Sequence, residues 1–295
     1  MHFQVVTDTS ANLLNRQIRD YGLHVIPFSY FVEGAEHTCL DTDAFDGEAY
    51  YSMLKRNVKV TTTQIIPETY TRVFKPILES GMDLIFVSMS SGISGSCQSA
   101  LVAANDLAEQ FPERRIEVID TLGASLGEGL VALQAARLRD ADIPTAQAAE
   151  QLRSLSERMF NVFTVDNLLY LRRGGRLSNL SAIVGTVLNI KPILKGSSEG
   201  KIVSFGKVRG RRASIETLAK LYDQEVSEPE TQMIGIAHAG CLKDAEYLIS
   251  LLNRNYPPKE ILLVDYEPVT GSHVGPGALA LFFESRKGVR DISRI

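Results

Sequence analysis

Three cysteines are few for a chain of 295 residues, and Cys39, Cys97 and Cys241 lie far apart with no C-x-x-C spacing. Neither a disulfide framework nor a zinc site is expected, and the count fits a reducing compartment. No apolar run approaches the ~18 residues needed to span a bilayer. Met1–Asp8 lacks a basic region followed by an apolar core, so no signal peptide is read there and a cytoplasmic location is expected. The formal net charge is only -4, so nothing global argues for nucleic acid or an anionic membrane surface. G-x-x-x-x-G-K-[ST], H-E-x-x-H and the kinase catalytic-loop pattern are all missing. With 44% hydrophobic and 22% charged residues, the remainder is an ordinary globular composition, long enough for two domains.

Apolar runs and helical spacings alternate through the first half. Strands are expected at Phe3–Thr7, His24–Val32 (with Pro27 inside it), Leu84–Val87 and Ile116–Ile119, and Val60–Gln64 reads as an extended, hydroxyl-rich segment. Helices are expected near Ala44–Lys55, Pro67–Glu79, Cys97–Phe111, Leu126–Ala141 and Pro144–Arg158. This rhythm predicts an α/β fold with a mainly parallel sheet. Ligands of such sheets bind outside the carboxyl ends of the strands. Asp8-Thr9-Ser10, Thr61–Thr63, the serine turn after Val87 and Asp120-Thr121 all follow strands, and three of the four would share one edge if their strands are neighbours. A second α/β domain with a smaller mixed sheet is expected from strand Asn161–Val165, helix Ser178–Asn189, a hairpin of Lys191–Leu194 with Ile202–Val208, and the β-α-β run Met233–Tyr266. The division is placed at 1–158 and 159–295.

Ser88-Met89-Ser90-Ser91-Gly92-Ile93-Ser94-Gly95-Ser96 joins a buried strand to a helix. Backbone N–H groups and a helix dipole at such a turn suit an anion, whereas a plain N-cap would explain one serine but not five. Gly92–Ser96 is not a nucleophile elbow, because Gly-x-Ser-x-Gly needs glycine where Ser96 stands. A serine hydrolase using Ser94 with His273 as base remains the enzymatic alternative. Gly127–Ala132 and Gly275–Ala280 fit G-x-G-x-x-A, but neither has the strand–turn setting of a dinucleotide site. Arg172, Arg173, Arg176, Lys207, Arg209, Arg211 and Arg212 read by default as solvated charges, with a few available for a ligand anion or an acidic partner.

Taken together, Val6–Ser10, Ser90–Ser96, Val118–Thr121, Leu171–Ser178, Leu188–Leu194 and Gly271–Gly277 resemble, in the right order, the DegV family of bacterial fatty-acid-binding proteins. The resemblance implies two α/β domains, the first carrying the carboxylate site and the second closing a lipid tunnel. It implies a long-chain fatty acid as ligand and no cofactor or metal. Its carboxylate would be held by Thr62 and Ser94, with Thr63 and Gly95 beside them. Arg173, Arg176, Arg209 and His273 fall where charge neutralisation or partner docking is implied. The implied partner is a separate ATP-dependent fatty acid kinase that makes an acyl-phosphate for phospholipid metabolism, the chain itself being no enzyme. Contact with membranes would be transient, and a lipid carrier or sensor without a kinase is the other alternative.

The family pattern places Ser-Gln-Pro after its threonine, whereas Thr62 is followed by Thr63-Gln64-Ile65. Which of Thr61, Thr62 and Thr63 bonds the carboxylate is therefore open. Burying ~14 methylenes at roughly 0.8 kcal/mol each yields ~11 kcal/mol before ordering costs, while the carboxylate must keep hydrogen-bond donors.

Overall fold

A computed structural model describes residues 3–177, 189–286 and 288–292. In chain order the elements are β1 (Phe3–Asp8), α1 (Asn15–Asp20), β2 (His24–Ile26), β3 (Tyr30–Val32), β4 (Ala35–His37), α2 (Gly47–Lys55), β5 (Val60–Thr62), α3 (Pro67–Glu79), β6 (Asp83–Ser88), α4 (Ser96–Gln110), β7 (Ile116–Asp120), α5 (Leu126–Asp140) and α6 (Thr145–Arg158). They are followed by β8 (Met159–Thr164), α7 (Leu169–Arg173), β9 (Ile190–Gly196), β10 (Ile202–Arg209), α8 (Arg211–Glu225), β11 (Met233–His238), α9 (Leu242–Asn255), β12 (Glu260–Asp265), α10 (Pro268–Val274) and β13 (Leu279–Glu284). Two compact units result: Met1–Phe45 with Val60–Ser156, and Asp46–Lys59 with Glu157–Ile295. The helix expected over Ser178–Asn189 lies, but for its last residue, outside the described residues.

The first unit holds a parallel sheet ordered β2-β1-β6-β7. β6 is central and Leu84–Ser88 are buried, as expected of a parallel strand covered on both faces. α3 turns Tyr70, Phe74, Ile77 and Leu78 into the core, and its N-terminus is set by Pro67, which has no N–H to leave unpaired. α5 is buried on nearly every side, which explains its run of Gly, Ala, Leu and Val. Gly129 is needed there because a Cβ would strike the carbonyl oxygen of Ala11, so Gly127–Ala132 is a packing motif.

The expected strand His24–Val32 divides in two. Pro27 offers no N–H to a ladder, and the Phe28 N–H is drawn to Thr9 Oγ1 at 3.0 Å. The chain leaves the parallel sheet, and β3 pairs antiparallel with both β4 and β5 in a separate small sheet. Thr62 sits there, opposite Tyr30.

The second unit is built on a mixed sheet ordered β10-β9-β8-β13-β11-β12, larger than the first unit's parallel sheet rather than smaller. The extra width comes from the β9–β10 hairpin and from β13, which inserts antiparallel between β8 and β11. Phe160 packs edge-on against Phe205 and Phe283, and Tyr222 against Phe283, with centroids 6.1, 5.4 and 5.1 Å apart. α2 belongs to this unit: Tyr50 donates to the Pro268 carbonyl at 2.8 Å and Tyr51 to the Tyr266 carbonyl at 2.5 Å. Asp46 caps the helix by accepting from the Ala49 N–H at 2.9 Å.

Candidate functional site

Because β1, β6 and β7 run parallel side by side, Asp8, the serine turn and Asp120 meet at one sheet edge. Three of the four hydroxyl-rich clusters that follow strands thus share one edge, as expected. The fourth, at Thr61–Thr63, arrives through the small sheet and is tied in by its exit. The Ile65 N–H donates to Ser96 Oγ at 3.1 Å, and the Gln64 side chain covers Gly95 so closely that a Cβ there would displace its amide. Gln64 Nε2 also reaches Ser99 Oγ at 3.5 Å.

The turn's own amides are mostly committed. Ser90 N–H donates to Gly123 O, Ser91 N–H to Asp120 Oδ1, Gly92 N–H to Ser90 Oγ, and both Ile93 and Ser94 N–H to Ser90 O. The anion-binding capacity anticipated for the whole turn therefore narrows to its end. There, half-buried Ser94 and exposed Gly95 precede α4, whose 15 residues aim a dipole at them. Ser94 Oγ lies 3.1 Å from Ser96 Oγ and accepts the Ser96 N–H at 3.2 Å. Thr62 is half-buried and Thr63 exposed, its N–H donating to Ser29 O at 3.3 Å. Cys97, next along the helix, is no ready nucleophile: burial pushes its thiol up to about 11.

Behind this edge lies an acid pair that sequence reasoning missed. Asp8 and Glu128 are both fully buried. Ser10 donates from its amide to Asp8 Oδ1 at 2.8 Å, and its hydroxyl touches both Asp8 Oδ1 and, at 2.7 Å, Glu128 Oε2. The Thr7 hydroxyl is shared between Val87 O and Glu128 Oε1, each at 3.0 Å. Two hydroxyl protons thus face four acceptors, and a proton held by the carboxyl pair relieves the shortfall. In keeping with this, burial pushes the Asp8 carboxyl up to about 7 against the opposing hydrogen bonds of Ser10 and Glu128. The available signal is a lone glutamate within the otherwise apolar first two turns of α5, Leu126–Leu133.

In the second unit Arg176 and His273 are brought together. α7 ends at Gly174 and Gly175, the latter at φ +69°, and Arg176 folds back to donate to the Gly174 carbonyl at 2.5 Å. His273 Nδ1 packs on Gly174 so tightly that a Cβ there would collide with it. Burial first, and the Arg176 charge second, lower the His273 pKa to about 4, so the imidazole is neutral at pH 7. Arg173 is exposed at the end of α7, and Arg209 is exposed at the end of β10, opposite Ile190. The Gly275-Pro276-Gly277 segment is explained by its surroundings: Gly275, at φ +77°, faces the Tyr170 ring, and Gly277, at φ +80°, faces the Asp166 carboxylate. Among the described residues no group of His, Cys, Asp and Glu is placed to hold a metal ion, and no helix is long and apolar enough to cross a membrane.

Comparison with known proteins places these features in one family. The family model described as "Uncharacterised protein, DegV family" matches residues 2–286. The DegV domain-containing protein YteA of Lactococcus lactis is 31% identical over 287 residues, covering 97% of this chain and 99% of its own. A DegV domain-containing protein of Clostridium perfringens is 30% identical over 281 residues, 95% of this chain and 97% of its own. Among solved structures, a DegV-family protein from Thermus thermophilus, described by its fatty acid binding, superposes with a TM-score of 0.86 at 27% identity, covering 97% of this chain and 100% of its own. DegV from Bacillus subtilis, described as a fatty acid binding protein, gives 0.80 at 28% identity, covering 96% and 98%. The chain belongs to the DegV family.

Proposed function

We propose that this protein binds a long-chain fatty acid, with the carboxylate held by the hydroxyls of Thr62 and Ser94, and presents it to a separate ATP-dependent kinase. The observation that carries the reading is the pairing of a strand exit with a helix N-terminus: Gln64 and Ile65 are fastened to Gly95 and Ser96. This fastening holds two hydroxyl-bearing segments, Thr61–Thr63 and Ser94–Ser96, in one unit of the fold. Neutral hydroxyl donors with a helix dipole behind them suit a carboxylate without burying a fixed counter-charge beside it. The fatty-acid binding described for the Thermus and Bacillus relatives supports the choice of ligand.

On this reading the chain makes and breaks no bonds. The kinase would transfer the γ-phosphoryl group of ATP to a carboxylate oxygen, releasing ADP and leaving an acyl-phosphate on the carrier. Arg173 and Arg209, exposed in the second unit, are proposed to dock that partner or offset the added charge, with Arg176 and His273 fixing the local backbone. Organic extraction of the purified protein followed by mass spectrometry tests the ligand, and a stoichiometric long-chain acid is expected. Recovery of no lipid, together with no uptake of added palmitate by the stripped protein, overturns the reading.

A further inference from the structure

Gly95 is a glycine that its own backbone does not require. At φ −75° and ψ −3° it has the right-handed conformation open to every residue, at the head of α4. What excludes a side chain there is Gln64: a Cβ on Gly95 would strike its Oε1 and come within 3.1 Å of its Cδ. The Gln64 amide lies along the first turn of α4. Its Nε2 is 3.5 Å from the Oγ of buried Ser99, whose own N–H donates to the Gly95 carbonyl at 3.1 Å. One residue further along the chain, the Ile65 N–H donates to Ser96 Oγ at 3.1 Å. Gln64 and Ile65 are thus seated on the two residues that follow Ser94.

The seating of Gln64 also separates the three threonines. The β3–β5 ladder continues one residue past β5, because the Thr63 N–H donates to Ser29 O at 3.3 Å. In an extended segment residues two apart share a side, so Thr62 lies on the side of Gln64, and Thr61 and Thr63 on the other. Exposure agrees: Thr62 is half-buried, whereas Thr61 and Thr63 are exposed. We propose that Gln64 is a positioning residue: its amide, filling the space that a side chain at position 95 would take, sets the spacing between Thr62 and Ser94 at which both hydroxyls reach one carboxylate. The proposal rests on the fatty-acid reading above. Gly95 is the complement of Gln64, left bare so that the amide can settle on the helix. Any Cβ at position 95 unseats the amide and leaves the threonine segment held on this side by Ile65 alone.

The test is the affinity of the stripped protein for oleate, read by displacement of a fluorescent fatty acid, in wild type, Gln64→Ala, Gly95→Ala and the double variant. Gln64 is exposed and its amide ends a flexible side chain, so melting temperatures should stay near wild type. Each single variant unseats the amide and should lose about five-fold in affinity. The double variant should be no weaker than either single one, because the same seat is lost in all three. Gln64→Glu keeps the shape but brings a negative charge to the turn. Its preference for oleate over oleyl alcohol should fall by at least about five-fold, a change that a purely structural role would not produce. Three results each overturn the role of Gln64 and leave fatty-acid binding standing: losses that add in the double variant, single variants within about two-fold of wild type, or a Gln64→Glu preference within about two-fold of wild type. A wild type that does not bind oleate overturns both readings.

Discussion

Asp8→Asn removes a carboxyl that titrates near neutrality in the fold and near 3.8 in the open chain. The sign follows from proton binding. Below pH 3.8 both states hold the proton; between 3.8 and about 7 the unfolded chain releases it and the folded chain keeps it, so stability falls as pH rises. Above about 7 both states have lost it and the contribution is flat. At about 1.4 kcal/mol per unit, the whole window is a ceiling of about 4 kcal/mol, of which about 3 kcal/mol falls between pH 5 and 8. The substituted amide keeps an oxygen for the Ser10 N–H and adds an N–H₂ donor beside Glu128, so the fold should tolerate it. Urea unfolding of wild type and variant at pH 5, 6, 7 and 8, followed by circular dichroism, should show the variant gaining on wild type as pH rises and then levelling off. A difference between the two that does not change with pH would refute the shared-proton account of the pair.

Two further variants probe the second unit. Tyr51→Phe strips the donor from the Tyr266 carbonyl inside a buried site and should lower stability by about 1–3 kcal/mol, read as a lower urea midpoint. Gly174→Ala drives a Cβ against the His273 ring, which should lower stability by about 1–3 kcal/mol as the ring is displaced. Freed from burial, His273 should then titrate upward from about 4 toward 6.5, seen in the imidazole proton shifts by NMR; an unmoved titration contradicts the packing described.

The edge that carries the candidate site was legible because each of its strands announces itself. Phe3–Thr7, Leu84–Val87 and Ile116–Ile119 are apolar runs that end in hydroxyls or acids, and parallel pairing does the rest. What could not be read depends on which segments pack together across long sequence separations. Glu128 meets Ser10 and Thr7 only because α5 lies against β1. Tyr70 sits at a helical spacing that reads simply as core, and its edge-on contact with Phe86 comes from α3 packing on β6. Likewise, Tyr50 and Tyr51 give no hint along the chain that α2 fastens to residues more than two hundred positions away. The division of His24–Val32 was signalled by Pro27, but where the chain went next was set by Thr9.

The most direct test of the central claim is the affinity of the stripped protein for palmitate, measured by calorimetry for wild type, Ser94→Ala and Thr62→Ala. A carboxylate held by these hydroxyls predicts a loss of about 1–3 kcal/mol for Ser94→Ala, roughly five- to 150-fold in Kd, and a loss for Thr62→Ala as well. Wild-type affinity in both variants would contradict it.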